Sequence, residues 1–92
     1  MQAHLFISGK VQGVGFRYFV RSNAKRLGIT GWVRNTEDGG VEVAAQGEKE
    51  PLEALIALCR KGPFLADVQH IGVEWEGVVE HYKDFSLSID HD

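Results

Sequence analysis

The chain is predicted to fold as an α+β sandwich with two helices on one face of an antiparallel sheet. The order is the β-α-β-β-α-β of ferredoxin-like folds, with a short additional C-terminal strand. Three observations predict it. Period-2 alternation of apolar and polar residues recurs in separated short runs, two longer stretches carry apolar residues at helical spacing, and an Asp-Gly turn joins the middle pair of strands.

The elements follow in order. Ala3, Leu5 and Ile7 alternate with His4, Phe6 and Ser8, giving a first strand that ends at Gly9. After a stretch punctuated by Gly9, Gly13 and Gly15, the period becomes helical, with Phe16, Val20, Ala24 and Leu27 on one face and Arg17, Arg21 and Lys25 on another. Gly28 suits the C-terminal cap of that helix. Thr30 to Asn35 and Val41 to Gln46 form a hairpin through Glu37, Asp38, Gly39 and Gly40, with Val41, Val43 and Ala45 toward the core. Leu52, Leu55, Ile56 and Cys59 mark a second amphipathic helix that has Pro51 in its first turn and is stopped by Gly62-Pro63. Two further alternations, Ile71, Val73 and Trp75, then Phe85, Leu87 and Ile89, complete the strands.

A chain of 92 residues is long enough for one core and too short for two, so residues 1–92 are expected to form a single domain. The 43% hydrophobic and 25% charged shares are those of an ordinary globular chain. Ten Lys and Arg against thirteen Asp and Glu, a net charge of -3, give no global reason to bind nucleic acid, so any anion site must be local. A lone cysteine cannot close an intrachain disulfide, which fits a reducing compartment. The N-terminus has neither a basic region nor a long apolar run, and no stretch is apolar enough to span a bilayer, so the expected location is cytoplasmic, away from membranes.

Two stretches carry chemistry. Gly9, Lys10, Val11, Gln12, Gly13, Val14, Gly15, Phe16 and Arg17 lie between a strand and a helix, where free backbone N–H groups and the positive helix end can gather around an anion. Arg17, in the first helical turn, could close a planar donor fork over the same oxygens. Taken alone, such a loop serves positive φ or close packing as readily as a ligand. The third glycine of a dinucleotide fingerprint and the Gly-Lys-Ser/Thr of a P-loop are both missing, so no nucleotide is implied. In the second stretch, Asn35 ends its strand ahead of the hairpin. An uncharged carboxamide there suits positioning a water and equally suits capping a turn.

Together the stretches resemble the two signatures of the acylphosphatase family: Gly9-Lys10-Val11-Gln12-Gly13-Val14-Gly15-Phe16-Arg17, and Gly31-Trp32-Val33-Arg34-Asn35 with Gly39, Val41 and Gly47 downstream. The resemblance implies hydrolysis of a small-molecule acyl phosphate to a carboxylate and inorganic phosphate. It makes Arg17 the phosphate-binding catalytic residue, Asn35 the water-orienting one, and the backbone from Gly9 to Phe16 the rest of the cradle. It implies no cofactor, no metal and no phosphoenzyme, with the substrate's own phosphate oxygen helping to take the water's proton. A complete motif set in one chain makes a monomer sufficient.

Other readings compete. Cys59 shares a stripe with Leu52, Leu55 and Ile56 and reads as core. His4, His70, His81 and His91 have no metal-ligand spacing, and Glu74 and Glu76, considered with Glu80 as an acid/base set, alternate as a solvated face. Trp32, Trp75, Phe6, Phe19 and Tyr18 read as core or rim aromatics, with Trp32 near enough to Asn35 in sequence to touch a substrate. An RNA-binding module is disfavoured because the glycine and aromatic string from Gly13 to Val20 lies ahead of a helix and not on a central strand. A regulatory domain that binds phosphate without turnover would need Arg17 but has no evident use for Asn35.

Overall fold

The computed structural model describes residues 1–88. Its elements are β1 (Gln2–Lys10), α1 (Phe16–Arg26), β2 (Thr30–Asn35), β3 (Val41–Gln46), α2 (Lys49–Lys61), β4 (Asp67–Glu76) and β5 (Phe85–Leu87). This is the expected order, with both helices on one face of a five-stranded sheet arranged β4-β1-β3-β2-β5. Four strands pair antiparallel, whereas β5 runs parallel to β2, so the extra strand makes the sheet mixed. Ile89, placed in the last strand by alternation, lies outside the described residues.

Strand alternation sets the core. Ala3, Leu5 and Ile7 of β1, Val33 of β2 and Val41, Val43 and Ala45 of β3 turn toward the helices and are buried, meeting Phe16, Val20 and Ala24 of α1 and Leu52, Leu55, Ile56 and Cys59 of α2. Burial pushes the Cys59 thiol up to about 12, as suits a packing residue and not a nucleophile.

β3 is buried along its whole length, because it is the middle strand and its other face is covered too. There Glu42 is held by His4 of β1 at 2.5 Å and by Arg34 of β2 at 2.6 and 2.7 Å. Burial raises the pKa of this carboxyl, but hydrogen bonds from His4 and Arg34 and the charge of Arg34 outweigh that effect and hold it below the ordinary carboxylate value.

α1 ends in paired reverse hydrogen bonds, Ile29 N–H to Ala24 O at 2.8 Å and Gly28 N–H to Lys25 O at 3.2 Å, with Gly28 at φ 74. This is the glycine-dependent helix stop that the sequence anticipates. β1 runs past Gly9 to Lys10 through a bulge at Ser8/Gly9, and β4 starts at Asp67, ahead of its apolar alternation, to pair with that extension. The bulge delivers the chain into the loop that precedes α1.

Candidate active site

The loop between β1 and α1 is pinned at both ends by apolar side chains. Val11 and Phe16 are each only 1% exposed, and Phe16 meets Phe19 edge-on at 6.0 Å. Between them Gln12 to Gly15 form a run of bends, with Gly13 and Gly15 in the left-handed region at φ 74 and 78. Gly15 is the N-cap of α1, and Phe19 N–H, at 3.0 Å from Gly15 O, is the first amide to bond back into the helix. The N–H groups of Phe16, Arg17 and Tyr18 therefore have no acceptor within the helix, and no side chain caps them. Their partial positive charge adds to that of the helix end.

Arg17 follows Phe16 in this first turn and is half-buried, and among the described residues it forms no ion pair. Asn35 reaches the same place from the end of β2. Side by side, Val11, Gly13, Gly15, Phe16, Arg17, Tyr18 and Asn35 line one concavity of about 180 Å³. The concavity is thus bordered by the start of α1, by the residue that carries a guanidinium and by the one that carries a carboxamide.

The two expected catalytic residues are brought together, and the rest of the loop divides. Gly13 and Gly15 line the concavity, while Val11 and Phe16 put their side chains into the core and leave only backbone to a ligand. Val14 packs against the core from outside, and Lys10 is exposed as the register partner of Asp67. Gly9 sits at the bulge, where a Cβ would lie 2.2 Å from Asp67 O, and it borders a second concavity of about 200 Å³ with Phe6, Ser8, Thr36, Asp38 and His70.

Trp32 does not come near Asn35. Strand alternation turns it to the opposite face, where it meets His4 edge-on at 5.9 Å and donates from Nε1 to the Tyr82 hydroxyl at 3.2 Å. Tyr18, 59% exposed beneath the Arg21 guanidinium, lines the concavity shared by Arg17 and Asn35 instead.

The hairpin beside the loop is braced internally. Thr36 Oγ1 donates to Asp38 Oδ1 at 2.5 Å and accepts from Gly40 N–H at 3.0 Å, and Gly39 N–H donates to Thr36 O at 3.2 Å. The Thr36 hydroxyl first, and then Gly40 N–H, hold the Asp38 carboxyl below its ordinary value. Gln12 Nε2 crosses from the loop to this hairpin and donates to Thr36 O and Gly40 O, each at 2.8 Å. Among the described residues no three His, Cys, Asp or Glu side chains converge as a metal site would require.

The acylphosphatase family model matches residues 3–87 and so takes in the loop, Arg17 and Asn35 together. The chain belongs to the acylphosphatase family. It is 43% identical to an acylphosphatase of Roseiflexus sp. over 86 residues, which cover 94% of this chain and 92% of that one. It is 50% identical to an acylphosphatase of Thermococcus kodakarensis over 76 residues, covering 83% and 84%. The crystal structure of an acylphosphatase from Bacillus subtilis superposes with a TM-score of 0.93 at 35% identity, covering 96% of this chain and 98% of that one. Near-complete coverage in both directions sets an acylphosphatase fold around the whole of this site.

Proposed function

We propose that this chain hydrolyses acyl phosphates to a carboxylate and inorganic phosphate, with Arg17 and Asn35 as its catalytic residues and the loop from Gly9 to Arg17 as its phosphate cradle. The observation that carries the reading is that Arg17 and Asn35, from different elements, line one concavity at the start of α1. Loop N–H groups and the Arg17 guanidinium hold the three non-bridging oxygens of the phosphoryl group, where negative charge is concentrated throughout the displacement. Asn35 holds a water in line with the scissile bond. Attack forms a P–O bond to the water and breaks the P–O bond to the carboxylate, which leaves as the anion. The water's proton passes to a phosphate oxygen, and a stable leaving group makes a protein general base dispensable.

The reading extends to independence from metals, because Arg17 and the amides supply the positive charge that phosphoryl transfer requires. It also includes a single-domain, monomeric state in the cytoplasm with no nucleic-acid partner, since one chain carries the whole constellation, its net charge is -3 and its lone cysteine closes no intrachain disulfide.

The test is hydrolysis of an aromatic acyl phosphate by purified protein with a chelator present, beside Arg17→Ala and Asn35→Ala. Each substitution is expected to lower kcat/KM by about a hundredfold or more, the scale of losing one preorganised donor. Asn35→Ala should still be inhibited by phosphate at near wild-type concentration. Absence of turnover in folded wild-type protein overturns the enzymatic reading in favour of a phosphate-binding domain, and near-normal turnover in Asn35→Ala removes its assigned role.

A further inference from the structure

Gln12 reaches out of the loop to the neighbouring hairpin. Its Nε2 lies 2.8 Å from both Thr36 O and Gly40 O. Two carbonyl acceptors around one atom identify that atom as the amide nitrogen and occupy both of its hydrogens. Thr36 follows Asn35 directly, and Gly40 precedes Val41, the register partner of Asn35 across the β2–β3 ladder. The same two carbonyls close the turn, taking Gly39 N–H at 3.2 Å and Thr36 N–H at 3.0 Å. The tether therefore grips the hairpin where Asn35 leaves its strand.

Positions that would carry side chains at Gly13 and Gly15 face open space, with no heavy atom within 4 Å. Val11, Phe16 and the partly buried Val14 anchor the loop to the core, and the Gln12 carboxamide bonds it sideways to the hairpin.

We infer that Gln12 is a positioning residue that fixes the distance and angle between phosphate held by the loop and water held by Asn35. The inference rests on the proposed role of Asn35. In-line attack needs the water oxygen within roughly 3–3.5 Å of phosphorus, and a displacement of about 1 Å can cost on the order of a hundredfold. Loop and hairpin are separate segments, each able to keep its own shape, so a bond between them governs their relative placement more than either site alone.

The experiment is a double-mutant cycle of Gln12→Met with Asn35→Ala, measuring kcat, KM and inhibition by inorganic phosphate. Met matches the length of Gln and removes both donors. Alone, Gln12→Met is expected to lower kcat by about tenfold or more while KM and phosphate inhibition stay within about threefold. In the Asn35→Ala background the same change should lower kcat by less than about twofold, because no oriented water remains to misplace. Gln12→Asn, one methylene short of both carbonyls, should fall in the same direction and serves if the Met variant is unfolded by circular dichroism. Equal losses in both backgrounds, or an unchanged kcat in Gln12→Met, overturn the inference while leaving the roles of Arg17 and Asn35 intact. High turnover in Asn35→Ala alone overturns the reading beneath it first.

Discussion

Two glycine-rich turns stand side by side at one end of the sheet and use their backbones in opposite ways. The β2–β3 turn spends its amides internally, with Gly40 N–H donating to Thr36 Oγ1 and Asp38 Oδ1 and Gly39 N–H to Thr36 O. The β1–α1 loop leads into a helix whose first N–H groups have no cap, and that end is where Arg17 sits. The difference lies in which short acceptor side chains the segments contain. Thr36 and Asp38 supply oxygens to their own turn, whereas from Lys10 to Phe16 no Ser, Thr, Asp or Asn is present to do so. Glycine spacing is common to both turns; what differs is whether short acceptor side chains of the segment itself take up its amides.

The sharpest way to break this contrast is to strain both turns equally. Gly15 at φ 78 and Gly39 at φ 90 both face open space, so Gly15→Ala and Gly39→Ala incur the left-handed penalty of about 1–2 kcal/mol without a clash. Similar drops in Tm are expected. Only Gly15→Ala, whose carbonyl opens α1 beside Arg17, should lower kcat/KM, by about tenfold or more. Equal kinetic losses would mean that hairpin and loop contribute alike to the cradle.

A smaller effect separates the concavity shared by Arg17 and Asn35 from the opposite face of the sheet. Glu42→Gln removes the charge that His4 and Arg34 surround, and at neutral pH it should cost about 1–3 kcal/mol of stability with turnover nearly unchanged. Because the folded pKa of Glu42 is depressed, its contribution is fully present above the ordinary value of 4.5 and is lost as pH falls through the folded value. The Tm difference between wild type and variant should therefore close below pH 4.5, and a difference that persists there would assign the cost to packing.

Much of this arrangement was legible in the sequence. Alternation and helical spacing place β2 and β3 residue for residue, and the resemblance of two stretches to a family's signatures selects Arg17 and Asn35 as candidates. What could not be read depends on strand order. Glu42 meets His4 and Arg34 because β3 lies between β1 and β2, and local pattern does not state that order. Gln12 bonds to backbone carbonyls, which every residue possesses, so no residue type in the hairpin announces the tether. Trp32 is near Asn35 along the chain, but alternation, once Val33 faces the core, turns it to the other face beside His4.

The smallest expected effect lies within the hairpin. Asp38 is exposed and serves its own turn, accepting from the Thr36 hydroxyl and Gly40 N–H. Asn at this position keeps an oxygen for both donors but gives up the charge, so Asp38→Asn should leave kcat/KM within about twofold and lower Tm only slightly at pH 7. The sign with pH follows from the depressed carboxyl. Its stabilisation is present above the ordinary value of 3.8 and fades as pH falls through the lower folded value, whereas Asn does not titrate. The two proteins should thus converge in Tm under acid. A kinetic loss in Asp38→Asn as large as that of Gly15→Ala would show that the brace on the hairpin, and not only Gln12, sets where Asn35 holds its water.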